Sequence, residues 1–242
     1  ISRWKADSAT RWLGELLVPA IVCLAVAVIA PYLSVGEVNV WASLAVLLAG
    51  WVVMGLVRDL QQRMRGVTSL GSALARLSPS YIGMLAAHSG FALTMVGAVF
   101  VTQFSAERDL RLEAGDAVEL NGYTFTLTDL TVVEGPNYAA DRGVFEVKYN
   151  GELFTTLLPE KRRYVASGQI MTEAAIDAGF TRDLYIAMGE PLGDGAWSVR
   201  VQHKPLIRWI WLGALMIGLG GLTTALDKRY RRVSAARHLR GD

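Results

Sequence analysis

The chemistry in this chain centres on one histidine. The stretch Tyr81–Val101, "YIGMLAAHSGFALTMVGAVFV", contains no Asp, Glu, Lys or Arg, yet it carries an imidazole at His88. As a helix it is long enough to cross a bilayer. His88 lies seven residues past Tyr81, so at about 1.5 Å per residue it sits roughly 10 Å into the apolar layer. Ionisable groups at such depth face a bundle interior or a cavity, and each ring nitrogen needs a partner. Three roles fit: ligand of a metal or haem, proton relay, or interhelical hydrogen bond.

The surrounding pattern divides this helix into two flanks. Gly83, Gly90 and Gly97 recur every seven residues, and Ala86, Ala87 and Thr94 add small groups nearby. That flank permits close approach of another backbone. At about 100° per residue, His88 lies roughly 140° around from Gly83. Met84, Ala92, Met95 and, more obliquely, Phe91 share its side. Soft apolar side chains around an imidazole suit an axial haem ligand, because the imidazole binds iron and the apolar surface covers the macrocycle. A relay calls for a second ionisable group one turn away, and this stretch has none. Met and Phe also pack helices in ordinary cores, so a hydrogen-bonding role stays open beside the haem reading.

The other candidates are weaker. His203, in "VQHKPLIRWIW", is a haem contact or relay in the functional reading and an exposed strand-end residue in the plainer one. His238 lies in a basic tail and reads as solvated. Cys23 is the single cysteine and sits in an apolar run. It excludes an intrachain disulfide and a cysteine-based zinc site and reads as a small lipid-facing or packing residue. The Lys161–Arg163 cluster is either a solvated face or a seat for an anionic group such as a propionate. Glu107, Asp109, Glu113, Asp116 and Glu119 are scattered over a turn and strand ends. No Ser/His/Asp arrangement or phosphate-binding glycine loop stands out.

The elements that must position His88 follow from hydropathy and charge. The 242 residues are 52% hydrophobic and 19% charged, which implies membrane spans beside a water-facing part. A net charge of +2 gives no case for nucleic acid. Four uncharged runs, Leu16–Leu33, Val40–Val57, Tyr81–Val101 and Trp209–Leu226, are candidate spans. Pro19 sits near the start of the first, and Gly213, Gly218, Gly220 and Gly221 mark the last. Arg3, Lys5 and Arg11 precede the first run, Arg58, Arg63, Arg65 and Arg76 follow the second, and a Lys/Arg-dense tail follows the fourth. The positive-inside rule places both ends and the 58–80 loop in the cytoplasm, and 102–205 outside. Trp209 and Trp211 fit an interfacial aromatic belt. Leu60, Met64, Leu70, Leu74 and Leu77 predict an amphipathic helix resting on the cytoplasmic surface. The opening "ISRWKADSATRW" lacks a signal-peptide pattern, and the expectation is the later part of a longer membrane protein or one piece of a split one.

The outer segment predicts a small antiparallel β-domain, barrel or sandwich. Asn121-Gly122 and Asn150-Gly151 suit two-residue hairpin turns. Tyr123, Phe125 and Leu127 alternate with threonines, and Trp197, Val199 and Val201 alternate with polar residues. "MTEAAIDAG" predicts a short helix capped by Thr172 and ended by Gly179.

With these residues in view, the chain resembles the CcmF family of bacterial cytochrome c maturation proteins. The resemblance is carried by "GMLAAHSGFALTMVG", "ERDLRLEAGD", "VEGPNY", "PEKRRY", "MTEAAIDAGFTRDLY", "GEPLGDGAWSVRV" and "KPLIRWIWLGALMIGLGG", in order over residues 80–232; over 1–79 it fits in topology more than in wording. It implies a component of the cytochrome c haem lyase (holocytochrome c synthetase) that receives haem from the chaperone CcmE and attaches its vinyl groups to the CxxCH cysteines of apocytochrome c. It implies a membrane haem b, with His88 matching one of two axial ligands. The family's other membrane histidine, its tryptophan-rich motif and the two histidines flanking that motif are not in these residues, so the catalytic haem-handling motif is outside this chain. At the position of His203 the family often has tyrosine, which argues against an essential ligand there.

The expected fold is therefore an α-helical transmembrane bundle of four spans with an inserted antiparallel β-domain. Residues 1–101 hold the first three helices with the cytoplasmic loop 58–80, 102–205 the periplasmic β-domain, and 206–242 the last helix and basic tail. His88 is the expected haem-iron ligand, with Met84, Phe91 and Met95 lining the haem. Expected partners are the remainder of CcmF with the second axial histidine, other lyase subunits such as CcmH, CcmE, apocytochrome c and inner-membrane lipid. Two alternatives stand beside this reading: a tethered docking module for the chaperone or apocytochrome without haem ligation, and a proton-coupled transporter fragment.

Overall fold

The computed structural model describes residues 9–66, 69, 71–72 and 77–227, without the side chains of 9–16 and 34–35. The chain divides into a helical unit, drawn from residues up to 103 and from 209 on, and a β unit, Phe104–Arg208.

The helical unit contains α1 (Ala9–Val35), α2 (Val40–Met64), α3 (Pro79–Phe104) and α4 (Ile207–Ala225). Among the described residues, α2, α3 and α4 are long and apolar enough to cross a membrane, and α1 contributes a shorter apolar stretch, Leu17–Leu33. Small residues line the contact between α1 and α2. Cys23 is buried with Ala27, Ala42, Ala45 and Ala49, and a Cβ on Gly50 would lie 3.4 Å from its sulfur. Of the two readings of Cys23, lipid-facing or packing, burial at 3% exposure selects packing.

Asn39 starts α2 by accepting the amide hydrogens of Trp41 (2.9 Å) and Ala42 (3.2 Å), an N-cap bond that satisfies otherwise orphaned donors. Its own amide donates to Gln103 Oε1 at the far end of α3 (3.1 Å). The second apolar run was bounded at Val57 in the sequence. The helix instead continues through Arg58 to Met64, supported by an i,i+4 pair between Arg63 and Asp59 at 3.1 Å. Leu60 and Met64 therefore belong to α2. Leu70 and Leu74 of the expected amphipathic helix, and His238 with its basic tail, lie outside the described residues.

The β unit is a sandwich. One sheet has the order β1 (Ala106–Leu112), β10 (Ala196–Pro205), β9 (Arg182–Gly193), β8 (Ala175–Ala178). The other has the order β2 (Ala117–Leu120), β3 (Tyr123–Glu134), β4 (Tyr138–Tyr149), β6 (Glu160–Tyr164), β7 (Ile170–Glu173), with β5 (Glu152–Leu157) paired to β4. Pairing throughout is antiparallel. Phe125, Leu127, Phe145 and Val147 meet Leu184, Ile186, Val199 and Val201 in the core between the sheets. Both Asn-Gly pairs form the hairpin turns expected, with Asn121 and Gly122 at φ +50° and +78° and Asn150 and Gly151 at +51° and +84°.

The helix expected at "MTEAAIDAG" is not formed; the segment is two strands. β7 pairs with β6, and after Ala174 the chain crosses to the other sheet, where β8 pairs with β9. Thr172 caps nothing: its hydroxyl donates to Met188 O (3.1 Å) and accepts from Lys161 Nζ (3.2 Å). Gly179 ends β8 in a turn, donating to Arg182 O at 2.9 Å. Two neighbouring strands with unpaired edges outweigh the local helix propensity, a tertiary override.

Candidate functional site

Helix α3 begins with Ser78 accepting the amide of Tyr81 (3.2 Å) and Pro79 at the first helical position, where its missing N–H costs nothing. The buried carboxylate of Asp227, just past α4, accepts from both the backbone amide and the hydroxyl of Ser80. An anion at a helix N-terminus is stabilised by the helix dipole, so this contact fixes one end of α3 on α4.

The heptad glycines fix the rest. A Cβ on Gly90 would lie 2.6 Å from Gly213 O and 2.8 Å from Met216 Cβ, and one on Gly97 would lie 3.0 Å from Trp209 Cβ. The relation is reciprocal, since a Cβ on Gly220 would lie 2.5 Å from Gly83 O and 2.8 Å from Ala87 N. Main chain thus meets main chain along α3 and α4, as small residues allow. Thr94 and Thr224 reinforce the seam with long hydrogen bonds, both 3.5 Å, to Ile210 O and Ser80 O.

His88 lies off this seam and is exposed. Its Nδ1 is 2.9 Å from Met84 O, one turn earlier. A carbonyl can only accept, so Nδ1 carries a proton, and in the neutral imidazole this tautomer leaves the Nε2 lone pair free. Phe91 is 56% exposed, and Met84 and Met95 are half-buried. Ala92, placed on the same side by helical arithmetic, is instead buried at 3% exposure. Among the described residues no group of three or more His, Cys, Asp and Glu gathers, so His88 offers a single nitrogen rather than a multidentate metal centre. One imidazole with its outer nitrogen unprotonated, flanked by thioethers and a phenyl ring, fits one axial position of a haem.

In the β unit His203 differs from its expected place. It is buried at 9% exposure rather than an exposed strand end. The Asn121 amide donates to its Nδ1 at 3.1 Å, and the Tyr123 ring lies 6.0 Å away, centroid to centroid. Burial, and secondarily the charge of Arg182, hold its pKa below the ordinary imidazole range. The signal was in the sequence, because His203 continues the inward parity of Val199 and Val201.

Arg182 was missed in the sequence, because its partners are brought together only by the fold. It donates to the Tyr123 hydroxyl at 3.0 Å, pairs with Asp177 and lies 4.7 Å from the Phe154 ring centroid. Two of the scattered carboxylates, Asp109 and Asp116, hold local structure. Asp109 holds Arg200 through two bonds of 2.7 and 2.8 Å, and Asp116 accepts from the backbone of Glu113 at 2.8 Å.

The Lys161–Arg163 cluster is divided by strand alternation. Arg162 faces Glu160, which also binds Arg142, with 2.7 Å bonds to each. Burial pushes the Glu160 carboxyl up, but the two guanidiniums outweigh it and hold its pKa below the ordinary range. Lys161 and Arg163 face the opposite side, and among the described residues only Lys161 pairs with a carboxylate there, Glu190 at 2.8 Å.

Comparison with known proteins matches these features to one family. Residues 103–205 match the family profile described as the CcmF C-terminal beta-sandwich. Over 230 residues the chain is 50% identical to the cytochrome c-type biogenesis protein CcmF of Pseudomonas aeruginosa, covering 95% of this chain and 35% of that protein. It is 40% identical to CcmF of Escherichia coli over 230 residues, covering 95% of this chain and 34% of that one. A solved structure titled cytochrome c heme lyase CcmF superposes with a TM-score of 0.70 at 18% identity, over 93% of this chain and 36% of that chain; at that identity it bears on fold alone. The chain spans about a third of the length of the curated relatives it matches. A chain matched almost end to end at this identity, with the family's own sandwich between its helices, belongs to the CcmF family of cytochrome c-type biogenesis proteins.

Proposed function

We propose that this chain is the portion of a bacterial inner-membrane cytochrome c haem lyase component that holds one axial side of a membrane haem b and carries a periplasmic β-domain. In this reading all four apolar helices span the membrane, both ends of the segment are cytoplasmic, and residues 102–205 are periplasmic. His88 supplies one axial nitrogen, Met84, Phe91 and Met95 line the haem, and the second axial histidine comes from the remainder of CcmF. CcmH, CcmE and apocytochrome c are its partners in assembly.

One observation carries the reading: the Nε2 lone pair of His88, left free by the bond from Nδ1 to Met84 O, on an exposed position of α3 off the glycine seam. The carbonyl fixes the tautomer and the ring orientation, and the hydrogen bond raises the basicity of the outer nitrogen. The rigid seam behind it holds that nitrogen in place. Haem held by two histidines supplies electron transfer in which the ligation need not change.

The test is an absorption spectrum of the complete protein, purified with and without His88→Ala. Loss or weakening of the b-type spectrum at unchanged helical content is the expected result, and unchanged haem content would remove His88 from the ligand set.

A further inference from the structure

A cleft of about 210 Å³ opens on the β unit, lined by Val132, Asp141, Arg163, Ile170, Pro191 and Trp197 among others. Its floor is built from two cross-strand rows. Val132, Asp141, Lys161 and Thr172 are successive register partners on β3, β4, β6 and β7, and so are Glu134, Ala139, Arg163 and Ile170. In the first row Lys161 has polar neighbours on both sides and is neutralised by Glu190. In the second, Arg163 stands between alanine and isoleucine, neither of which can accept from it.

The cations around it are all satisfied. Arg142 and Arg162 share Glu160, and Arg162 also reaches Glu173 at 3.2 Å. Arg163 makes no ion pair among the described residues and is exposed at the cleft. Ile170, its register partner, is 48% exposed, and Val132, 75% exposed, and Trp197, which packs against the core, line the same cleft. Asp141 and Glu190 also line the cleft, Glu190 paired with Lys161, and neither forms an ion pair with Arg163; a guanidinium without an ion-pair partner next to exposed apolar side chains matches a carboxylate carried next to an apolar group. The volume falls below the roughly 300–1,000 Å³ of small-molecule pockets, which suits a side chain or two of a polypeptide better than a flat macrocycle.

We infer that this cleft is a docking site for a segment of a partner protein in which an acidic residue adjoins an aromatic or large aliphatic one. The carboxylate pairs with Arg163, and the apolar neighbour packs on Trp197 and Ile170. The inference does not depend on haem ligation by His88.

The experiment uses the full chain in nanodiscs, labelled with 5-fluorotryptophan, with the Trp197 resonance assigned through Trp197→Phe. The probes are acetylated, amidated pentapeptides in which Phe, Trp or Leu flanks Glu on either side, their Gln counterparts, and protoporphyrin IX. The expected result is a shift of the Trp197 resonance by Glu peptides. Their binding should weaken at least about tenfold for the Gln counterparts, as for loss of a charge-assisted bond. It should weaken similarly with Arg163→Gln and persist with His88→Ala. Equal response to Glu and Gln peptides, or none to either, overturns the inference. So does an Arg163-dependent response to the porphyrin alone, which would assign the cleft to a propionate instead.

Discussion

His88 gives its Nδ1 proton to the backbone oxygen of Met84 at 2.9 Å, so the helix itself selects which nitrogen faces outward. The relationship is local to α3. It therefore precedes any ligand and is testable without one. Nitrogen-15 chemical shifts of selectively labelled histidine in the haem-free chain, with His88 assigned by substitution, should report the Nδ1–H tautomer for His88. A dominant Nε2–H form would mean that the imidazole must rearrange before it can ligate.

The seam between α3 and α4 makes a prediction with an internal control. Gly90→Ala puts a methyl 2.6 Å from Gly213 O, whereas a methyl at Gly218 meets nothing within 4 Å. Overpacking of this kind costs about 1–3 kcal/mol. Denaturant unfolding in detergent should therefore show Gly90→Ala destabilised on that scale and Gly218→Ala unchanged or stabilised by up to about 1 kcal/mol, because alanine favours the helix over glycine. Equal behaviour of the two variants would place the helix contact elsewhere.

His203 predicts a pH dependence of the β unit. Its pKa is depressed in the folded state by burial and by Arg182, so the unfolded chain binds the proton more readily. Stability from this group is full above the ordinary imidazole pKa of about 6.5 and falls as pH drops below it. His203→Phe should flatten that slope. Thermal unfolding of the β unit within the full chain, followed by near-ultraviolet circular dichroism across this range, measures it; parallel slopes for the two proteins would exclude His203 as the source.

Features that depend on neighbours in sequence were legible. Each Asn-Gly pair demands positive φ wherever it sits, and the apolar runs state their own length. The alternation of Phe125 and Leu127 with threonines identified an inward face without knowledge of its partner strand. What escaped was decided at a distance. Thr172 and Gly179 carry helix-cap chemistry, but β6 and β9 supply strand partners that the local pattern cannot reveal. The end of α2 escaped for a different reason: Arg58 and Asp59 mark the end of the apolar run, not of the helix. At the candidate site, periodicity placed His88 away from the glycines, but it also put Ala92 on that side, since helical arithmetic does not contain the neighbour that buries it. Arg163 could be read as part of a basic cluster. That it alone of the cluster makes no ion pair among the described residues goes with a register that sets it between Ala139 and Ile170.

Glycine has no smaller replacement. Where Gly83, Gly90, Gly213 and Gly220 bring main chain against main chain, substitution can only add volume, so the spacing of α3 and α4 is a lower bound that sequence drift can widen but never narrow. The outward side of α3 is under no such restriction. Exposed positions there, His88 and Phe91, can change in size and polarity while the distance between the two helices stays constant, so the outer surface of α3 and the helix spacing can vary separately.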